Sequence, residues 1–264
     1  MPTTLEEIVA ATRERVASAK ATLRGQSLDL GKHRPRGFRD SLTRTSKSGI
    51  AVIAELKKAS PSKGVIRADF PVAELAAGLE KAGAAALSVV TDERFFQGSL
   101  QNLKIASEVT RLPCLRKDFI VDEYQLLEAR ANRADAVLLI VAALKQAELG
   151  NLHRRATQLD LDVLCEIHGK EELRRALDAG CDLIGVNNRN LRTFEVDLNT
   201  SLELAELMPP NVVKVAESGI KSGEDLSRLR QAGYDAFLIG ESLMRAPSPG
   251  AALHELLAQA TVAR

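Results

Sequence analysis

Lysines, carboxylates and amides close several of the chain's short apolar runs. One run leads into Glu55-Leu56-Lys57-Lys58-Ala59-Ser60-Pro61-Ser62; others end in Arg116-Lys117-Asp118-Phe119, Glu166, Asn187-Asn188-Arg189-Asn190 and Glu217-Ser218-Gly219. Any one of these charges has a plain explanation as a solvated loop residue or a rim salt bridge. Brought to one mouth, they would desolvate and polarise one another, which is how a proton donor and a proton acceptor coexist near neutral pH. Acid–base chemistry on a carbonyl compound suits such a set. Lys57 or Lys117 could instead form a Schiff base with a carbonyl substrate if its pKa were lowered.

Gly219 and Gly240 follow the last two apolar runs, in Glu217-Ser218-Gly219-Ile220 and Ile239-Gly240-Glu241-Ser242-Leu243. A lone glycine there is a tight turn. Two at equivalent places, each before a helix, point to backbone N–H groups that hold a phosphate. The histidines His33, His153, His168 and His254 show no pairing at ligand spacing, so no metal is expected. A divalent cation at the carboxylates has no support in the pattern.

Such residues converge only if the elements beneath them are arranged in a ring. Short β-prone runs lie at 50–55, 85–90, 113–116, 136–141, 162–166, 183–187, 212–216 and 236–239. Between and after them come amphipathic stretches at 72–82, 100–110, 122–132, 145–159, 170–179, 198–207, 223–232 and 249–260. Several helices end in Ala-Gly, at Gly83, Gly180 and Gly233, where glycine stops a helix by taking positive φ. Strands without in–out alternation, separated by helices, are buried on both faces and pair in parallel. The pattern predicts an α/β fold, a (β/α)8 TIM barrel whose active site lies at the C-terminal ends of the strands. A doubly wound sheet is the alternative, but the dinucleotide-type glycine turn it would want after the first strand is missing. An extra amphipathic helix over 5–24 precedes the first strand, and 25–49 reads as an ordered linker without sustained periodicity. The whole, 1–264, reads as one barrel domain, with 1–49 as its N-terminal extension.

Composition removes other classes. The 264 residues carry 36 Lys plus Arg against 35 Asp plus Glu, 45% hydrophobic and 3% aromatic residues, as in an ordinary globular protein. Balanced charge argues against nucleic acid as partner. The longest apolar runs, such as 136–144, fall far short of the roughly 20 residues of a membrane span. The first residues do not read as a secretory signal, which predicts a cytoplasmic protein. Cys114, Cys165 and Cys181 form an odd, widely spaced set beside apolar runs, and read as buried reduced thiols.

The strings Ile53-Ala54-Glu55-Leu56-Lys57-Lys58-Ala59-Ser60-Pro61-Ser62, Leu115-Arg116-Lys117-Asp118-Phe119-Ile120, Cys165-Glu166-Ile167-His168, Ile184-Gly185-Val186-Asn187-Asn188-Arg189-Asn190-Leu191, Ala216-Glu217-Ser218-Gly219-Ile220 and Leu238-Ile239-Gly240-Glu241-Ser242-Leu243-Met244 together resemble the indole-3-glycerol phosphate synthase family. The resemblance spans nearly the whole chain. It implies ring closure of 1-(2-carboxyphenylamino)-1-deoxyribulose 5-phosphate with loss of carbon dioxide and water, in tryptophan biosynthesis and without a cofactor. It also implies roles. Lys117 is then the general acid at the substrate carbonyl, Glu166 the acid/base of the dehydration, and Lys57 a contact to the anthranilate carboxylate and a proton donor. Glu55 holds the lysines, and Asn187 and Glu217 complete the catalytic set. Ser60, Arg189 and Ser218 touch substrate; Phe119, Leu138 and Leu191 give the aromatic ring an apolar surface. Gly219, Gly240 and the backbone of Glu241 hold phosphate, although some members carry serine at position 241. The N-terminal helix is implied to cap part of the barrel. Association with other enzymes of the pathway is open. The competing readings are a phosphoribosyl anthranilate isomerase or a Schiff-base aldolase on the same barrel, and a barrel that binds a phosphorylated ligand without turnover.

Overall fold

The computed structural model describes residues 4–23, 28–191 and 193–262. Eight parallel strands close into a barrel: β1 (Ala51–Leu56), β4 (Ala86–Val90), β5 (Cys114–Lys117), β6 (Ala136–Ile140), β7 (Asp162–Ile167), β8 (Leu183–Asn187), β9 (Val213–Glu217) and β10 (Ala236–Ile239). β10 pairs with β1 through Ala51↔Ala236 to Ala54↔Ile239, so the ring has no open edge and the doubly wound alternative is excluded. Helices α3 (Val72–Lys81), α4 (Leu100–Val109), α5 (Glu123–Ala131), α6 (Gln146–Gln158), α7 (Lys170–Asp178), α8 (Asn199–Ala205), α9 (Gly223–Gln231) and α11 (Pro249–Val262) alternate with the strands. A short α10 (Glu241–Arg245) intervenes before α11.

Alternation along each strand divides its side chains between two apolar layers. Val52, Ala54 and Leu56 of β1 face the helices, whereas Ala51 and Ile53 join Leu115, Leu138, Leu164, Leu183, Val215 and Leu238 inside the barrel. The lower interior is built from Ala51, Ala86, Ala136 and Ala236, and the space these small residues leave is filled by Phe38 and Leu42. Those two belong to α2 (Phe38–Ser46), a helix inside the stretch expected to be linker. The sequence signal is weak because one short stripe, Phe38, Ser41 and Leu42, is buried, and apart from Arg39 and Arg44 the remainder is Asp, Ser and Thr, poor helix formers. Packing against the barrel floor makes it a helix. The N-terminal helix is α1 (Leu5–Leu23); position 24 of the expected span lies outside the described residues.

Two further differences concern local contacts. The loop after β1 folds into a small antiparallel hairpin, β2 (Ala59–Ser60) on β3 (Gly64–Val65). Cys165 and Cys181 are joined as a disulfide, where reduced thiols were expected, and Cys114 alone is free. The two sit one strand–helix unit apart with Cα atoms 6.5 Å from each other, within bonding range, a proximity their sequence spacing does not announce.

The segment leading into α2 is pinned by Asp135, which is fully buried at the start of β6. Its carboxylate accepts from the backbone N–H of Cys114 at 2.6 Å, from Arg36 Nη2 at 2.7 Å and from His33 Nε2 at 3.0 Å. Burial pushes this carboxyl up, but the His33 and Arg36 contacts hold it below the ordinary aspartate value. Stability from a depressed carboxyl is present above its unfolded pKa and is lost as pH falls through the folded one. Asp135→Ala leaves the Arg36 guanidinium without its counter-charge, and should lower stability by about 3 kcal/mol in urea unfolding at neutral pH. A loss below about 1 kcal/mol, the scale of an exposed ion pair, would show that Asp135 is no clamp.

Candidate active site

The same alternation that places Ile53, Leu115, Leu164 and Val215 inside the barrel places Glu55, Lys117, Glu166 and Glu217 one step higher on the same face. Gly185 and Asn187 follow suit on β8. The five polar residues thus form the top layer, and the ring of strands turns them toward one point. Glu55, Glu166 and Glu217 are 3%, 2% and 1% exposed, so their charges meet side chains rather than bulk water. Lys117 Nζ donates to Glu166 Oε2 at 3.2 Å and stands 3.9 Å from Glu217 Oε2. Lys57 reaches back to Glu55, with Nζ 2.5 Å from Oε2. The Asn187 side chain hydrogen bonds to Glu166, and its Oδ1 accepts the Arg189 backbone N–H at 3.0 Å.

Two glycines create the room. A Cβ on Gly185 would collide with Glu217 Oε1, and one on Gly240 would collide with Glu55 Oε2. Gly240 therefore admits a carboxylate into the layer, a use beyond the phosphate contact read from its position. Gly219, at φ +85°, follows Ser218 in the left-handed region, and a Cβ there would strike Val196.

Three carboxyls face two ammonium groups, and the protonation states follow from that imbalance. Burial favours a neutral Lys117, but the charges of Glu166, Glu217 and Glu55 hold it above the ordinary lysine value. Burial pushes Glu55 up, and Lys57 and Lys117 bring it below its usual range. Glu166 is likewise raised by burial and lowered further by Lys117, His168 and Asn187. Glu217 is left over. Burial and the neighbouring Glu166 charge push it up to about 8, so it holds its proton at neutral pH beside an ionised partner.

The backbone around Lys117 is locked from behind. Arg116 faces away from the mouth, fully buried, and donates from Nη2 to Asp118 Oδ2 and Glu128 Oε2, both at 2.7 Å. Asp118 in turn accepts the Phe119 N–H at 2.8 Å, fixing the turn that carries Phe119 over the mouth. Arg15 of α1 approaches the same two carboxylates at 3.8 and 3.7 Å, tying the N-terminal helix to this corner.

Every site residue singled out from the sequence lines one cavity of about 550 Å³. Lys57, Ser60, Lys117, Phe119 and Leu138 lie along one side; Asn187, Arg189, Leu191, Glu217, Ser218 and Gly219 along the other, with Gly240 and Glu241 between. The Glu241 side chain is taken up by arginines, with Oε2 3.4 Å from Arg189 Nη2 and Oε1 3.1 Å from Arg245 Nε. Both oxygens of the Glu241 side chain thus lie against arginines. Sequence reasoning missed Leu5 and Ile8 of α1, Phe96, Lys221, Ser242 and Arg245 in the lining. Phe96 packs on Phe119 with ring centroids 5.9 Å apart. A signal for it existed: Phe95-Phe96 is an aromatic pair in a loop of a chain with 3% aromatics. Among the described residues, no cluster of three or more His, Cys, Asp and Glu could hold a metal, and no helix is long and apolar enough to cross a membrane.

A family model described as indole-3-glycerol phosphate synthase matches residues 5–256. A protein named indole-3-glycerol phosphate synthase from Koribacter versatilis (strain Ellin345) is 59% identical over 259 residues, covering 97% of this chain and 100% of that protein. One of the same name from Acinetobacter baylyi is 53% identical over 223 residues, 84% of this chain and 82% of that one. Among solved structures, thiamine phosphate pyrophosphorylase from Pyrococcus furiosus superposes with a TM-score of 0.60 at 18% identity, over 80% of this chain and 95% of that one. That last likeness concerns the barrel alone.

The Glu217 proton has a thermodynamic signature. A carboxyl raised from 4.5 to about 8 by folding contributes stability that is full below the unfolded value and is lost as pH rises through the folded one. Glu217→Gln keeps the size and the neutral form but cannot titrate, so it should gain stability relative to the native chain between about pH 5 and pH 8. Paired urea unfolding curves at the two pH values measure the gain, and a difference independent of pH would contradict a proton held on Glu217.

Proposed function

Because the chain belongs to the indole-3-glycerol phosphate synthase family, we propose that its barrel mouth closes the indole ring through the residues described above. The enzyme is a decarboxylating lyase of tryptophan biosynthesis that converts 1-(2-carboxyphenylamino)-1-deoxyribulose 5-phosphate, a phosphorylated small molecule, to indole-3-glycerol phosphate, carbon dioxide and water. In the first step the ring carbon bearing the carboxylate attacks the ketone carbon. Charge develops on the carbonyl oxygen, and a fixed cation that can surrender a proton meets it. Lys117 fits that position: its ammonium is kept charged by the ionised Glu166 and Glu55 and cannot leave the layer without separating from Glu166, 3.2 Å away. This observation carries the reading. It also disfavours the Schiff-base aldolase, which needs a neutral amine as nucleophile.

Carbon dioxide then departs, and the electron pair of the broken bond restores the aromatic ring, so no external oxidant, reductant or cofactor is called for. Lys57, held by Glu55, is placed to pair with the substrate carboxylate and later to protonate the departing hydroxyl. Glu166, ionised and buried, takes the proton that the dehydration releases, and the neutral Glu217 stabilises it by hydrogen bonding. Phe119, Leu138 and Leu191 enclose the aromatic ring. Gly219, the Gly240–Glu241 turn and Ser218 take the phosphate end, with Ser60 and Arg189 completing the substrate contacts.

The product is an indole and the chain has no tryptophan, so indole emission reports turnover on a dark background. Lys117→Ala should lower kcat by about 10²-fold or more without altering the fold, since the carboxylates it leaves can take up protons. Native turnover in that variant would remove Lys117 from its role. Lys57→Met and Glu166→Gln should accumulate a cyclised, decarboxylated intermediate in rapid-quench samples, and unreacted substrate alone would place those residues before ring closure instead.

A further inference from the structure

His168 has no task in the chemistry above, yet it lies two residues beyond Glu166 on the inward-facing alternation of β7. Its backbone N–H and its ring Nδ1 both meet one oxygen of Glu172, at 2.8 and 3.2 Å. Glu172 is in the first turn of α7 and reaches back across Gly169 to make these contacts. A carboxylate only accepts, so the proton of this contact sits on Nδ1. With the ring fixed in this way, Nε2 is buried without a hydrogen-bond partner, 3.5 Å from Glu166 Oε1. Lys117 occupies the other oxygen, Oε2.

An unprotonated Nε2 would turn its lone pair toward a carboxylate oxygen, which is repulsive; a protonated one turns the contact into an ion pair. We infer that His168, clamped by Glu172, is a positioning residue that presents a charged Nε2–H to Glu166 and fixes that carboxylate between two cations. The inference rests on the reading of Glu166 as the acid/base of the dehydration. The surrounding charges favour the same state. Burial works against the cation and Lys117 opposes it across Glu166, but Glu172 and Glu166 outweigh them and hold His168 above the ordinary histidine value. Glu6 of α1, Glu195, Asp197 and Arg189 line the same side cavity as His168, three acids against one base. As pH rises through the His168 pKa, Glu166 loses one of its two cations and its fixed orientation, so turnover acquires an alkaline limb that belongs to His168.

Glu172→Gln tests this away from the substrate, because the amide oxygen still accepts from Nδ1 while the negative charge is gone. The limb of kcat should move to lower pH by about one unit, with KM changed less than about twofold. The shift between the two chains is the readout, since Glu217 titrates in the same range. His168→Gln should lower kcat by about tenfold and lose the moving limb. NMR titration gives a second measure independent of turnover: the chain has four histidines, and the ring signal missing from His168→Gln is that of His168. In Glu166→Gln that signal should titrate at least about one unit lower than in the native chain; there the comparison with Glu172→Gln supplies the assignment if His168→Gln does not fold. A limb unmoved in Glu172→Gln, or a His168 titration unmoved in Glu166→Gln, overturns the proposal. A Glu166→Gln chain with native turnover overturns the catalytic reading of Glu166 instead, and the two failures are told apart by the NMR titration.

Discussion

Three buried carboxyls and two ammonium groups share one mouth, and the site is arranged around keeping that set near neutrality. A buried lysine alone would discharge, and a buried carboxylate alone would take up a proton. Lys117 stays charged because the ionised Glu166 stands 3.2 Å from it and Glu55 adds its charge. Glu166 stays ionised because Lys117, Asn187 and His168 surround it. Glu217 carries the remaining proton. Acid and base are thereby defined by their places in the cluster rather than by residue type.

Such a cluster requires a scaffold that cannot relax to separate the charges, and the closed barrel supplies one. β1, β5, β7 and β9 each deliver an ionisable residue at the top because an apolar residue two positions earlier is packed in the interior. A one-residue slip of β5 would exchange Lys117 for Arg116 and ruin both layers at once. The lower interior resists slippage through close packing, with Phe38 and Leu42 seated against alanines. Arg116 resists it through charge, tied on the outer face to Asp118 and Glu128. Strain-free placement of the carboxyls also needs absent atoms, and Gly185 and Gly240 supply that absence where Glu217 and Glu55 lie.

Much of this was legible in the chain. Strand runs with polar ends predict a barrel and a mouth, but the runs read at 113–116 and 212–216 stop one residue short of the inward Lys117 and Glu217, so strand pairing rather than the run ends decides which residue faces in. What was not legible depends on contacts between distant segments. Phe38–Ser46 lacks the composition of a helix and becomes one by filling the barrel floor. The Cys165–Cys181 pair is invisible in spacing because adjacency of β7 and β8, not sequence separation, joins it. The direction of the Glu241 side chain depends on Arg189 from another strand end. His168 has no metal-ligand partner at sequence spacing, and its partners are a carboxylate one helical turn on and the carboxylate two residues back.

The division between floor and mouth explains why one barrel hosts unrelated chemistries. An enzyme of different name superposes on this chain at 18% identity because the interior asks only for apolar volume and alternation, which many sequences satisfy. The top layer asks for far more. Replacing Glu217 by an apolar residue would take the neutral carboxyl from beside both Lys117 and Glu166; replacing Gly185 would expel Glu217 from the layer. Each change alters the proton count of the whole set. The proton count of the mouth therefore depends jointly on Glu55, Lys57, Lys117, Glu166 and Glu217, and a barrel that keeps only some of them keeps the shape of the mouth without its charge balance.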